Sequence, residues 1–380
     1  MIKIEEVVKK YPGMERPAVN KLDLNIEEGE ICTFVGPSGC GKTTTLKMIN
    51  RIIEPSGGKI YVNGENVLDQ NPNELRKKIG YVIQKTGLFP HYSVFDNIAI
   101  VPRLLGWDEE RIEKRVVELL GLMNLDPDEN RDKFPKALSG GQSQRVGVAR
   151  AMAADPPVML MDEPFGAVDP ITRNQLQNEF LKLQKKVNKT ICFVTHDIDE
   201  AIKMGDKIAI MDEGKLVQFD TPENILFAPK NVFVQEFVGS DRSLKVLNLL
   251  RVTKVMRKNI KRVKEKIEID EIKKYFTHPE KNRILIESDE QEVVGYVAKE
   301  DITKDATIKD WNKAIKLFPS SLNEHNTLKD AMSDMLQHNI AALPVLSKDN
   351  KFMGIVTFAD IRSYIGEAYE EYDQEENEVL

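Results

Sequence analysis

Apolar runs separated by turn residues set the rhythm of the first 220 residues. ICTFV (Ile31 to Val35), KKIGYVIQ (Lys77 to Gln84), PVMLMDEP (Pro157 to Pro164) and TICFVTHD (Thr190 to Asp197) each hold an apolar run, the last three running out into polar residues, the pattern of strands buried on both faces. Residues 2 to 35 alternate shorter apolar runs with turns and predict antiparallel strands leading into ICTFV. IYVNGENVL (Ile60 to Leu68) carries Asn63-Gly64, and IAIMDEGKLVQ (Ile208 to Gln218) turns at Glu213-Gly214, so both predict hairpins. From Phe89 to Ala153 the apolar period lengthens to a helical one, clearest in EERIEKRVVELLGLMNL, which predicts an inserted helical lobe.

The second half repeats itself. VVGYVAKEDI (Val293 to Ile302) aligns without gaps on FMGIVTFADI (Phe352 to Ile361), Gly295 falling on Gly354 and Asp301 on Asp360, a period of 59 residues. Each unit reads as strand, glycine, strand and an acidic helix start. The second unit is the clearer; the first, around TKVMRKNIKRVKEKIEIDEIKKYF, has drifted.

With 380 residues the chain has room for two or three domains, and 41% hydrophobic residues against 30% charged ones is the balance of a globular, soluble protein. A net charge of −7 argues against a nucleic-acid partner. Three cysteines, Cys32, Cys40 and Cys192, lack metal-ligand spacing and are expected to be reduced thiols in cytoplasm. MIKIEEVVKKY lacks a secretory core, and no run approaches the length of a membrane span, so a membrane role has to come through partners.

The chemistry starts at GPSGCGKTT (Gly36 to Thr44), which stands between the run ICTFV and the helix-like LKMINRII. Glycines at Gly36, Gly39 and Gly41 let successive main-chain N–H groups, those of Ser38 and Cys40 among them, face one centre, and the helix start at Lys42, Thr43 and Thr44 adds partial positive charge. This is a phosphate loop: Lys42 pairs with phosphates and the Thr43 hydroxyl ligates Mg²⁺. Gln84 ends a strand, where its amide can reach Mg²⁺ or an attacking water. Asp162 and Glu163 end another; adjacent strand residues face opposite ways, so Asp162 can join the Mg²⁺ shell while Glu163 faces the water. His196 follows a further buried run and can donate to a γ-phosphate oxygen. Tyr11, in the first connection, can stack on adenine or be an ordinary turn tyrosine. In ALSGGQSQRVGVARAMA, Ser139, Gly140, Gly141 and Gln142 open a helix as a second anion-binding arrangement. One site has no use for both, so the second completes the site of another copy, in a head-to-tail dimer; Asp169 lies at a turn that can cross to that partner.

Taken in order, GPSGCGKTT, Gln84, LSGGQ, MLMDEP, AVD and His196 resemble the ATP-binding subunit of ABC transporters, over roughly the first 238 residues. The resemblance implies a fold of the α/β class: a P-loop ATPase domain with a RecA-like core, an antiparallel β subdomain and a helical subdomain at about 89–155. It implies Tyr11 on adenine, Gln84 as the Q-loop, Leu138 to Gln142 as a signature acting in trans, Glu163 as general base, Asp169 as the D-loop acid and His196 as the switch histidine. Ser143, Val168 and Tyr92 depart from the usual pattern, none at a phosphate-handling position. MINRIIEPSGGKIYVNGENV and KKIGYVIQKTGLFPH are similar to importers of glycine betaine, carnitine or choline. That implies a homodimer at the cytoplasmic face of a bacterial plasma membrane, with permease subunits and an extracytoplasmic substrate-binding protein or domain.

The repeat resembles tandem CBS motifs: linker and divergent first motif at 239–308, second motif at 309–367, then an acidic, flexible tail at 368–380. In such modules the threonine of Gly-x-x-Thr-x-x-Asp donates to phosphate and the aspartate accepts from ribose. Gly354, Thr357 and Asp360 fit this, while the first unit has Ala298 in place of the threonine. The resemblance implies cyclic di-AMP or another adenine nucleotide there, against a module that only dimerises. Arg251 to Lys266 holds eight basic residues and one acidic, to be read as a solvated helix face or a contact for anionic lipid. The alternative overall is a soluble ABC-type ATPase, or a CBS-linked nucleotide sensor, that is not coupled to transport.

Overall fold

The computed structural model describes all residues except 85–86, 167, 261, 265–268, 277–282, 288–292, 300–313 and 379–380, with only the main chain of 269, 283 and 370–378. It divides into two compact units, Met1–Ile225 with Pro229–Gly239, and Leu226–Ala228 with Ser240–Leu380.

In the first unit β1 (Ile2–Lys9), β2 (Val19–Ile26), β4 (Gly57–Val62) and β5 (Glu65–Asn66) form an antiparallel sheet in the order β2-β1-β4-β5. The strand β3 (Ile31–Val35) belongs instead to a second sheet with β6 (Ile79–Val82), β7 (Val158–Asp162), β8 (Thr190–Val194), β9 (Lys207–Asp212) and β10 (Lys215–Asp220), in the order β10-β9-β3-β8-β7-β6. The first strands are antiparallel and lead along the chain into the phosphate-loop strand, as expected, but they make their own layer. β3 pairs in parallel with β8 and β9, and β7 with β6 and β8; β10 closes the edge antiparallel to β9.

Period-two alternation explains why the runs are apolar throughout. Val158 and Leu160 of β7 join a core with β1, β2 and β4 and with Leu46, Met48 and Ile49 of α1 (Lys42–Ile49). Met159 and Met161 face the other way, into a core with the helical lobe. After α2 (Pro72–Lys77), that lobe is built from α3 (Val94–Leu104), α4 (Glu109–Leu122), α5 (Pro127–Asn130) and α6 (Gly140–Met152). Ser93 and Asp108 cap α3 and α4 by accepting from Asp96 N and Arg111 N. Next come α7 (Pro170–Val187), α8 (Ile198–Met204), α9 (Pro222–Phe227) and α10 (Val232–Val238). The run ending in His196 is a strand only as far as Val194, and Thr195 and His196 form the turn into α8.

The second unit opens with α11 (Arg242–Leu249). β11 (Arg262–Lys264), α12 (Ile269–Tyr275), β12 (Arg283–Glu287) and β13 (Val293–Ala298) are then matched by β14 (Leu322–Asn323), α13 (Leu328–Gln337), β15 (Ala342–Leu346) and β16 (Phe352–Thr357), before α14 (Phe358–Glu378). The 59-residue period holds register pair by pair. Val263 opposes Ile286 as Leu322 opposes Val345, Arg283 opposes Ala298 as Ala342 opposes Thr357, and the bridge Tyr296 to Lys316 repeats as Ile355 to Arg257. The first unit has drifted in sequence while its backbone pairing has not.

Each repeat glycine lies inside one strand rather than between two. A Cβ at Gly295 would meet Lys316 O at 2.4 Å, and at Gly354 Arg257 O at 2.7 Å, so the glycine lets a neighbouring segment cross the strand. Asp301, matched to Asp360, lies outside the described residues. Within the acidic segment 368–380, α14 runs on to Glu378 through glutamates, which favour helix. Nor is the basic stretch free: Arg251 donates to His325 O, Arg257 pairs with Asp360 and Arg262 with Glu287. Among the described residues no helix is long and apolar enough to cross a membrane.

Candidate active site

The carboxyl ends of four adjacent parallel strands, β3, β8, β7 and β6, converge on one cavity of about 490 Å³ lined by Ser38, Gly39, Gly41, Lys42, Thr43, Thr44, Gln84, Glu163 and His196. This is where an open α/β sheet places its ligand site. Gly36 begins the loop at φ +150°, and a Cβ there would sit 2.0 Å from Met211 O. Among the described residues no side chain caps α1, so its first-turn N–H groups remain available to an anion.

Lys42 is 6% exposed and its Nζ donates to Gly36 O at 2.7 Å and Pro37 O at 2.9 Å. The ammonium is thus held across the loop by the loop's own carbonyls. Thr43 Oγ1 donates to Asp162 Oδ1 at 2.9 Å, joining the phosphate loop to the end of β7. Burial pushes the Asp162 carboxyl above its usual range; the Thr43 hydroxyl opposes this and the neighbouring Glu163 adds to it. A buried carboxylate beside a second carboxylate and a hydroxyl is the oxygen donor set a hard divalent cation takes, and Mg²⁺ fits it. Among the described residues no cluster of three His, Cys, Asp or Glu could hold a metal alone, so the remaining ligands would come from phosphate and water.

Glu163 lies just past β7 at φ +47°, its N–H donating to Val194 O at 2.9 Å. That left-handed turn separates it from Asp162 more sharply than strand alternation would. Its Oε2 accepts from Gln84 Nε2 at 2.8 Å, and its Oε1 is 3.5 Å from His196 Nδ1. Residues from three strand ends therefore meet on one carboxylate.

The other sequence-predicted residues do not line this cavity. Tyr11 is half-buried with Lys9 Nζ 5.2 Å from its ring centroid. Ser139 and Gln142 form a reciprocal capping box at the start of α6, Gln142 N donating to Ser139 Oγ at 3.2 Å and Ser139 N to Gln142 Oε1 at 3.0 Å, with Gly140 exposed and Gly141 buried beside them. Asp169 caps α7, accepting from Thr172 N at 3.1 Å, a contact that holds its carboxyl below the usual range. Cys40 is buried, and Cys32 and Cys192 face each other across β3 and β8 as free thiols.

The sequence profile described as ABC transporter matches residues 19–166, and that of the CBS domain residues 318–367. The glycine betaine/carnitine/choline transport ATP-binding protein of Bacillus subtilis is 44% identical over all of both chains. The osmoprotectant import ATP-binding protein of Salmonella typhimurium is 41% identical over 96% of both. The chain belongs to the ATP-binding subunits of ABC transporters. Among solved structures, a dimeric ATP-binding cassette in a post-hydrolysis state with ADP and phosphate bound is 34% identical, with a TM-score of 0.53, over 58% of this chain and 99% of that one. This ABC subunit is accordingly an ATPase that uses ATP and Mg²⁺, with hydrolysis coupled to transport, and its fold class is the expected one.

In the second unit of this ABC subunit a larger cavity, about 1470 Å³, is lined by Thr357, Arg257, Tyr275, Ala342 and Arg362 among others. Thr357 caps α14, accepting from Asp360 N at 3.1 Å, and its Oγ1 donates to Asp360 Oδ2 at 2.7 Å. The other oxygen, Oδ1, takes Arg257 Nε at 2.6 Å and Nη2 at 2.5 Å. Both oxygens of the carboxylate expected to read ribose are thus engaged within the module.

Arg257 was not among the sequence candidates. The signal was there, since the 59-residue period maps it onto Lys316, a second cation at the same repeat position. Glu200 was missed too. It is 7% exposed on α8, buried with Ala201, Ile202 and Met204, accepts from Gln177 Nε2 of α7 at 2.8 Å, and is marked only by being a carboxylate on the apolar face of its helix.

Proposed function

We propose that two copies of the chain clasp MgATP and hydrolyse it to drive import of a compatible solute of the glycine betaine, carnitine or choline type through a partner permease. The observation that carries the hydrolytic part is the convergence of Gln84 and His196 on the Glu163 carboxylate at the mouth of the phosphate loop.

In this reading Glu163 accepts the proton of the attacking water, with Gln84 and His196 fixing where that water sits. His196 also donates to the γ-phosphate. Lys42 and the loop N–H groups offset charge on the phosphate oxygens, where phosphoryl transfer needs positioning and neutralisation more than covalent help. Thr43, Asp162 and Gln84 hold Mg²⁺, which neutralises phosphate charge when bound. Tyr11 stacks on adenine. Ser139, Gly140, Gly141, Gln142 and Asp169 lie off the cavity of their own chain and act across the interface of a homodimer, consistent with the dimeric solved relative.

The solute class follows the names of full-length relatives from Bacillus and Salmonella. Permease subunits and an extracytoplasmic substrate-binding protein complete the assembly at the cytoplasmic face of a bacterial membrane. Ile83, Phe89 and Tyr92, exposed apolar residues flanking Gln84 in sequence, suit docking of the permease. The second unit regulates transport by binding an adenine nucleotide, cyclic di-AMP foremost, at Thr357 and Asp360.

The test is reconstitution with the permease in vesicles. ATP turnover is expected to rise with the permease, the binding protein and a quaternary amine together. Turnover indifferent to all three would favour an ATPase uncoupled from transport.

A further inference from the structure

Two elements assigned to the partner-facing and water-facing sides of the reaction, the Asp169 turn and the His196 turn, open α7 and α8 respectively. One face of α7 runs through Asp169, Arg173 and Gln177 at four-residue spacing. Arg173 Nη2 donates to Val168 O at 3.0 Å, holding the main chain just before Asp169. One turn further on, Gln177, 3% exposed, donates its amide to Glu200 Oε1 at 2.8 Å. Glu200 N in turn donates to Asp197 Oδ1 at 3.3 Å, Asp197 directly follows His196, and Thr195, which immediately precedes that histidine, is 2% exposed. Thr195 is itself anchored, its N–H donating to Phe34 O at 3.0 Å and its Oγ1 accepting from Asp197 N at 3.1 Å.

We propose that Glu200 is a positioning residue for hydrolysis: its buried carboxylate holds α8, the helix that the His196 turn opens, to α7, so that His196 and the Asp169 turn are set as one unit. Glu200 acts on the site through Asp197 and Gln177. A buried acid costs free energy that a neutral apolar side chain on α8 would avoid, so the packing of α8 gives no reason for it, whereas coupling two loops does. Burial pushes the carboxyl up; the nearby Thr195 hydroxyl, the Gln177 hydrogen bond and Arg173 oppose this, and Asp197 adds to it. Lys203 of the same helix also senses Glu200. A neutral side chain of the same shape should therefore serve as well.

The inference rests on the roles given above to His196 and Asp169, and the experiment separates the two. ATP turnover of the full chain is measured for wild type, Glu200→Ala, Glu200→Gln, Gln177→Leu, the double variant Glu200→Ala/Gln177→Leu, and His196→Ala. Glu200→Ala and Gln177→Leu are expected to lower kcat about tenfold with KM for ATP changed less than about twofold, the signature of lost transition-state positioning. Glu200→Gln should keep most of the turnover, and the double variant should be no worse than either single one, since both break one link. Turnover unchanged in Glu200→Ala or Gln177→Leu while His196→Ala is inactive would overturn the clamp and leave the histidine's role standing. Additive losses in the double variant, or kcat and KM that move only with the melting temperature, would also overturn it.

Discussion

Gln84 Nε2 donates to Glu163 Oε2 at 2.8 Å, tying the segment after β6 to the segment after β7 across the cavity. The contact fixes where the carboxylate points. Exchanging Glu163 for glutamine keeps an oxygen for Gln84 and removes the proton acceptor. Glu163→Gln is expected to lower turnover by two to four orders of magnitude, about what general-base catalysis supplies. ATP binding should remain, and with ATP the variant should elute as a stable dimer in size-exclusion chromatography. Turnover near the wild-type rate would take the base role from Glu163.

Gly36 and Gly39 both have positive φ, yet substitution should separate them. An alanine Cβ at Gly36 would meet Met211 O at 2.0 Å, while at Gly39 nothing among the described residues lies within 4 Å. Gly39→Ala bears only the cost of a left-handed alanine, about 1–2 kcal/mol. Gly36→Ala must also displace main chain of β9. We expect Gly36→Ala to lose nucleotide binding and melt well below Gly39→Ala, checked by fluorescent ATP-analogue titration and thermal scans. Equal melting temperatures would count against the cradle geometry.

The strands were readable in the sequence because they are apolar on both faces, and Gln84, Asp162, Glu163 and His196 were readable because each directly follows such a run. Two things were not. The φ of +47° at Glu163 depends on its N–H bonding Val194 O of the neighbouring strand, a pairing that local sequence does not encode. The Arg257 to Asp360 pair spans 103 residues and exists because the two repeats share a register. The helix through the acidic end was not legible for a simpler reason: a run of carboxylates without a base reads as unstructured, while glutamate's own helix preference prolongs a helix already started at Phe358.

Glu200 also predicts a pH dependence of stability. Its carboxyl is held above the usual range by burial, so across the window from the ordinary glutamate value up to that raised value the native chain keeps a proton the unfolded chain has lost. Native stability therefore falls as pH rises through the window, by about 1.4 kcal/mol for each unit between the two states, and is level above it. Glu200→Gln removes this contribution. Its melting temperature should match that of wild type near pH 4 and exceed it at pH 7.5, as thermal scans at both values would show. A gap that is the same at both would mean that Glu200 does not titrate in this way.

The Arg257 guanidinium makes a last prediction, because it occupies the oxygen a ribose would need. Asp360 Oδ2 is taken by Thr357 and Oδ1 by Arg257. An incoming nucleotide must displace the arginine, whose side chain is 64% exposed against 8% for Asp360. The exposed partner can leave into water, where its charge is solvated. Arg257→Ala leaves the buried carboxylate without its cation, so it raises the free energy of the empty site more than that of the filled one. Calorimetry on the full chain, with excess MgADP holding the ATPase site, should find cyclic di-AMP or AMP bound about fivefold more tightly by Arg257→Ala than by wild type, and not at all by Asp360→Ala. Weaker binding to Arg257→Ala would make the arginine a ligand contact rather than a competitor. Heat from neither protein would leave the second unit without a nucleotide to sense, and its regulation would have to come from packing alone.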